Sequence, residues 1–262
     1  MSTNNSTLFG QYAATIEALD LSRIKVPAQI PRSMCLDEEG ELRCDYIPFD
    51  YVNPDARLVV VGITPGFTQW VNAIREAQIQ IRGGAPATTA LRAAKQTGAF
   101  SGAMRPNLVS LLDHIGIAQW LGISSCDALF KSGAHLIQTT SILRHPVFVD
   151  QANYSGAPSM IRTPLLQRQI EAHFVEEARL LCHAVFVPLG PKVSEGLDWL
   201  VQRGILPGER VLDGLPHPSG ANAERIAYFP GRKPREALSM KTDATKLDAS
   251  LAHLRAQVHA LR

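Results

Sequence analysis

Three short clusters in this 262-residue chain combine residue types and spacing suited to binding or chemistry. The first, Gly62-Ile63-Thr64-Pro65-Gly66-Phe67-Thr68-Gln69, follows directly on the apolar run Val59-Val60-Val61. Gly62 and Gly66 let the backbone turn sharply and approach a ligand closely, and Pro65 stiffens the turn. The second is His217-Pro218-Ser219-Gly220-Ala221-Asn222, in which Pro218 fixes the backbone exit from His217. Ser219 and the N–H groups after it can hold a phosphate at a helix start. The third, Thr97-Gly98-Ala99-Phe100-Ser101-Gly102, is an aromatic flanked by glycines. Each also has an ordinary structural reading: a tight β–α turn, a surface turn, and a loop anchored in the core.

Several chemistries are excluded by what is missing. The dinucleotide fingerprint, the P-loop and the G-x-S-x-G elbow are absent. The eight histidines show no H-E-x-x-H spacing, and Cys35, Cys44, Cys126 and Cys182 form no C-x-x-C pair. No metal or iron–sulfur cluster is expected. The four cysteines read as thiols in a reducing cytoplasm. No apolar run is long enough to span a bilayer, and the N-terminal residues do not read as a secretory signal, so no membrane partner is expected.

The elements that must position these clusters read as a parallel α/β domain. Strands are predicted at 57–63 (RLVVVGI), 135–141 (HLIQTTS), 184–190 (AVFVPLG) and 210–215 (RVLDGL). Amphipathic helices are predicted at 107–117, 165–182 and about 243–261. In such sheets ligands bind at the loops leaving the strands' C-terminal ends. Gly, Pro and polar residues do follow each strand: GITPGFTQ, ILRHP, GPK and PHPSGAN. The Ala-, Gly- and Thr-rich stretch 82–102 reads as a mobile loop or lid. Length and a 45% apolar composition fit one domain, with an N-terminal helix and loop extension (1–56), a core (57–230) and a C-terminal helix (231–262).

Net charge is only +2, which argues against a uniformly polybasic nucleic-acid coat. Residues 1–57 hold nine acids and five bases, whereas residues 232–262 hold seven bases and three acids. That gradient alone is a solvated-surface feature.

The order and placement of the clusters resemble the uracil-DNA glycosylase superfamily over about residues 57–229. The resemblance rests on the G-x-x-P-G turn after a strand, the Gly-flanked Phe, a second polar-ended strand and a late H-P-S-G loop. It implies a three-layer α/β/α sandwich around a four-stranded parallel sheet. It also implies a DNA partner, a base flipped into a pocket, and hydrolysis of the N-glycosidic bond without a cofactor by a monomer. His217 would then stabilise the departing base, and Ser219, Gly220, Asn222 and Arg225 would hold DNA phosphate. Phe100, or in competition with it Phe67, would stack on the base. Gly62, Pro65 and Gly66 would shape the pocket floor.

Two departures carry information. Thr64 stands where the family commonly has a water-positioning Asp, Asn or Glu, so Thr64, with Gln69, would place the water without a strong base. Thr139, with Gln138 beside it, stands where an Asn commonly reads the uracil edge. Loss of that paired reader suggests a different, bulkier base, such as 5-hydroxymethylcytosine or its glucosylated form in phage DNA, and a role in antiviral defence. The alternatives are a uracil or mismatch glycosylase of base-excision repair, and a catalytically silent nucleic-acid-binding module. A nucleotide- or sugar-phosphate-processing enzyme is a weaker fourth reading. His145, just after the second strand, reads as structural ahead of substrate-binding.

Overall fold

In the computed structural model, residues 7–98 and 104–261 are described. Helix α1 (Leu8–Ala18) leads to a hairpin of β1 (Cys35–Glu39) and β2 (Leu42–Asp45), then to β3 (Leu58–Gly62). Helices α2 (Phe67–Arg82), α3 (Ala87–Gly98), α4 (Met104–His114) and α5 (Ile117–Leu121) precede β4 (Ile137–Ser141). Strands β5 (Val147–Val149) and β6 (Ala152–Asn153) come next. Helix α6 (Pro164–Gln169) then continues through a π turn at Ile170–Phe174 into α7 (Val175–Leu180). Last come β7 (Val185–Pro188), α8 (Pro191–Gln202), α9 (Ala223–Tyr228) and α10 (Ala244–Ala260).

The described chain forms two compact units, each drawn from three stretches of sequence. Unit 1 takes in residues 7–52, 63–98 and 140–177, and unit 2 takes in 53–62, 104–139 and 178–261.

Unit 2 holds the mixed α/β arrangement that the strand–helix alternation predicts. Its sheet has the order β4-β3-β7, with β3 and β7 parallel in the register Leu58↔Val185 to Val61↔Pro188. Every residue from Leu58 to Val61 and from Val185 to Val187 is fully buried, as expected of strands covered on both faces. The predicted run at 210–215 contributes one parallel bridge, Phe186↔Val211, with Leu212 N–H donating to Phe186 O at 2.8 Å. It forms no longer strand, because Asp213, Gly214 and Pro216 turn the chain toward the His217 loop. The helix predicted at 107–117 ends at His114, since Gly116 takes φ +94 and restarts the chain as α5.

Unit 1 contains a second sheet, β1-β2-β5-β6, whose strands pair antiparallel. Its short acidic strands gave no clear alternation to read in advance. The stretch 82–102, expected as a loop or lid, instead contains α3. Ala90 and Ala94 are fully buried in an apolar cluster with Trp70, Ala73 and Ile74 of α2. Small residues let these helices approach closely: a Cβ on Gly98 would lie 3.2 Å from Gln69 O of α2. Trp70 Nε1 donates to Tyr46 O at 2.8 Å, tying α2 to the strand-end segment.

Candidate functional site

In unit 2 the second cluster is built as a tightly held turn. Ser194, in the first turn of α8, donates to Asp213 Oδ1 at 2.5 Å, and Gly214 N–H donates to the same oxygen at 2.6 Å. Asn107 Nδ2 on α4 donates to Pro218 O at 2.9 Å. Gly190, just after β7, has φ +97, and a Cβ there would sit 3.6 Å from His217 Cδ2. The imidazole therefore lies against a stretch of backbone that only glycine readily adopts.

His217 itself is half-buried, and burial holds its pKa below the usual histidine value. Its Nδ1 accepts a hydrogen bond from Ser219 N–H at 3.2 Å. An accepting Nδ1 carries no proton, so the neutral ring bears its proton on Nε2. Among the described residues Nε2 has no hydrogen-bond partner. The result is a neutral donor, fixed in tautomer and open to a ligand.

Around it, Ser219 Oγ receives only a long contact of 3.5 Å from Asn222 Nδ2. Asn222 Oδ1 in turn accepts from Arg225 NH1 at 3.3 Å. Gly220 and Arg225 are exposed, and Ser219 and Asn222 are half-buried. The structure thus brings His217, Ser219, Gly220, Asn222 and Arg225 together on one turn. Gly62 ends β3 and Thr139 lies in β4 of the same sheet. Gln138 and Thr139 point to opposite faces of β4, as successive strand residues must. Gln138 is 2% exposed and its Oε1 accepts from Asn53 N–H at 3.1 Å. Thr139 is half-buried, and its hydroxyl makes no hydrogen bond to the described residues.

The first cluster lies in unit 1 beyond Gly62. Thr64 Oγ1 donates to His145 O at 3.1 Å and accepts from Val147 N–H at 3.1 Å. Gln69 Oε1 accepts from Gly66 N–H at 2.8 Å, and its Nε2 donates to Gly98 O at 3.0 Å. Both polar groups thus fasten the turn, and Thr64 keeps one lone pair for a further donor. Pro65 is buried. Phe67 is half-buried, stacks on Trp70 at 6.2 Å, and has its N–H capped by Asn153 Oδ1 at 3.0 Å. Phe100 lies outside the described residues.

Sequence reasoning missed a buried ionic network in unit 1 built on Glu177, Arg144 and Lys95. Glu177 is fully buried; its Oε2 accepts from Arg144 NH2 at 2.9 Å and from Thr140 Oγ1 at 3.0 Å. Its Oε1 lies 3.7 Å from Lys95 Nζ, which also donates to Tyr51 O at 2.7 Å. Burial pulls the Lys95 pKa down to about 8, even with Glu177 beside it. Tyr46 donates to Asp50 Oδ2 at 2.5 Å, and burial raises both of their pKa values.

His145 completes the group. Its Nδ1 accepts from Ile47 N–H at 3.3 Å, its ring meets His173 edge-on at 4.5 Å, and Nε2 has no partner among the described residues. Burial holds His145 well below its usual range and brings His173 down to about 4. Lys95 gave no warning in the sequence: it stands one and five residues from Ala94 and Ala90, spacings that do not share a helix face.

All four cysteines are unpaired. Among the described residues no helix is long and apolar enough to cross a membrane, and no three His, Cys, Asp or Glu side chains are grouped to hold a metal.

The chain is 34% identical over 219 residues to the uncharacterized protein YoxB of Bacillus subtilis (strain 168), covering 82% of this chain and 86% of that one. No family model and no solved structure matches the chain.

Proposed function

We propose that this chain, which belongs to the family of the Bacillus protein YoxB, is a DNA glycosylase that hydrolyses the N-glycosidic bond of a flipped-out base. The observation that carries this reading is the His217 turn: a neutral imidazole whose free Nε2–H is fixed by the Ser219 N–H···Nδ1 bond. When the bond between C1′ and the base nitrogen breaks, its electron pair leaves with the base, and Nε2–H stabilises that negative charge. Water adds to C1′ and gives up a proton to solvent, and the departing base anion takes up one proton from solvent, so the products are an abasic sugar and the neutral free base. A neutral donor suits this task, because its proton is neither lost nor gained between ground state and products.

Ser219, Gly220, Asn222 and Arg225 would grip the adjoining phosphates, and Gly62, Pro65 and Gly66 would form the floor under the base. Base reading falls to Thr139, since Gln138 is committed to Asn53. Stacking falls to Phe100 or Phe67. The lone hydroxyl of Thr139 supports a base other than uracil, and our reading is a modified pyrimidine such as (glucosylated) 5-hydroxymethylcytosine in phage DNA. The fold would be a glycosylase-like α/β/α sandwich, with the bridge at Val211 as the remnant of a fourth parallel strand. We place the enzyme in the cytoplasm as a monomer, with DNA as its partner.

The test is mass spectrometry of bases released from oligonucleotides carrying uracil, mismatches and modified cytosines, with His217→Ala alongside. Removing one such donor should lower release by about 10²–10³-fold. Release of uracil alone would transfer the protein to repair. DNA binding without release of any base from the panel would overturn the enzyme reading in favour of a silent binding module.

A further inference from the structure

A cleft of about 710 Å³ in unit 2, away from the His217 imidazole, contains two incompletely partnered cations. Arg105 and Arg232 line it together with Asp113, Asp127 and Pro230. The Arg105 guanidinium lies over the Phe130 ring, with Cζ 4.7 Å from the centroid. Its Nε is buried, and none of its nitrogens donates to an acceptor among the described residues. A guanidinium stacked by its face keeps its N–H edge free and fixed in plane, the geometry that grips two oxygens of one phosphate.

The acids in the cleft offset it only in part: Asp127 is paired with Lys131, and Asp113, held by neutral donors, keeps one negative charge against the two arginines. Asp113 Oδ2 accepts from Ser125 Oγ and Oδ1 from Cys126 N–H, both at 2.7 Å. Asp127 pairs with Lys131 at 2.5 Å. Arg232 uses NH2 to donate to Ile226 O at 3.1 Å, which fixes its position and leaves its charge uncompensated. The cleft is also tied to the candidate site by covalent and hydrogen-bonded neighbours. Asn107, two residues beyond Arg105 on α4, donates to Pro218 O, and Arg232 follows α9, the helix that begins just after Asn222.

We propose that this cleft is a phosphate-binding site. Arg105 is the fork and Arg232 the second cation, and a phosphodiester of the DNA strand that passes the Ser219 turn supplies the anion. The site itself is defined by Arg105; its assignment to DNA rests on the glycosylase reading.

The experiment measures affinity for an undamaged oligonucleotide across a salt series, with wild type, Arg105→Gln, Arg105→Lys, Arg232→Gln and the exposed control Arg179→Gln. Thermal unfolding confirms that each is folded. Losing one phosphate contact should reduce the slope of log affinity against log salt by about 0.7–0.9 and weaken binding at low salt roughly tenfold. Arg105→Lys should keep the slope and lose part of the affinity, because charge remains without the fork. Base release at saturating DNA should be unchanged in the exposed control Arg179→Gln. A slope for Arg105→Gln equal to that of wild type and Arg179→Gln overturns the proposal.

A parallel titration with inorganic phosphate, followed by NMR, separates the two sources of the anion. If wild type binds no DNA, the glycosylase reading fails. In that case Arg105-dependent phosphate binding still supports the site, and its absence refutes it.

Discussion

Replacing Glu177 by Gln should destabilise unit 1 far more than the loss of one hydrogen bond implies. The substitution keeps the shape of the side chain and removes the charge that faces Lys95 at 3.7 Å and Arg144 at 2.9 Å. Both cations are nearly inaccessible, with side chains 5% and 11% exposed, so neither can turn to water. Breaking a buried pair by removing one partner costs about 3–5 kcal/mol, because the remaining charge is left uncompensated. For a chain of this size that is a fall of roughly 6–10 °C in Tm.

The pH dependence gives the reasoning a sharper signature. Lys95 already titrates near 8 in the folded protein, and without Glu177 its folded pKa drops further. The folded variant then sheds the Lys95 proton while the unfolded chain holds it up to the ordinary lysine range. Stability of Glu177→Gln should therefore rise relative to wild type as pH increases toward 8, and the deficit should shrink. Urea unfolding at pH 6, 7, 8 and 9, read by circular dichroism, measures it. In the double variant Glu177→Gln/Lys95→Met the apolar replacement removes one stranded charge, so its deficit should be smaller than the sum of the single ones. A loss under about 1 kcal/mol for Glu177→Gln, independent of pH, would refute the claim that this network is a buried charge cluster.

Other outcomes follow from the same geometry. His217→Ala should lower base release as stated above; with wild type, release should not change between about pH 7 and 8 on account of His217, whose burial keeps it neutral there. Gly98→Ala should destabilise unit 1 by about 1–3 kcal/mol, since its Cβ meets Phe49 at 2.7 Å. Phe49→Leu in the same chain should restore part of that loss. His145 and His173 are held neutral, so the unfolded state binds more protons than the folded state below the ordinary histidine pKa. Acidification from about 6.5 to 4 should then lower stability by up to about 1.4 kcal/mol per pH unit for each of them, and His173→Gln should flatten the slope.

The parts of this molecule that sequence patterning makes legible are those where one residue type serves one purpose. Val59-Val60-Val61 and Val185-Phe186-Val187 are buried on both faces, so an unbroken apolar run sufficed to find β3 and β7. The His217 turn was legible because Pro and Gly announce loops. The second sheet was not, since three consecutive acids, Asp37, Glu38 and Glu39, break any alternation in β1, and β2 finds its other neighbour, β5, only far along the chain. Helix α3 was misread for a related reason. Its Ala and Gly content resembles a flexible linker, yet those small residues are what close packing against α2 demands. The ionic network lay beyond reach because Lys95, Arg144 and Glu177 sit far apart in sequence and meet only after folding.

How the Thr64 turn is built bears on how a glycosylase of this kind would divide its chemistry. A hydroxyl that donates to His145 O and accepts from Val147 N–H has one lone pair left, enough to orient a water. It has no capacity to take a proton, and Gln69, held by Gly66 and Gly98, adds none. Without a carboxylate at this turn, water attack receives positioning and little else. In the proposed reaction most of the barrier reduction would then come from stabilising the leaving group. A rate carried by the leaving group depends steeply on how well the departing base bears negative charge. Substrate choice would accordingly be set by base acidity as well as by fit, and substituents that withdraw electrons from the ring should accelerate release even where they add bulk.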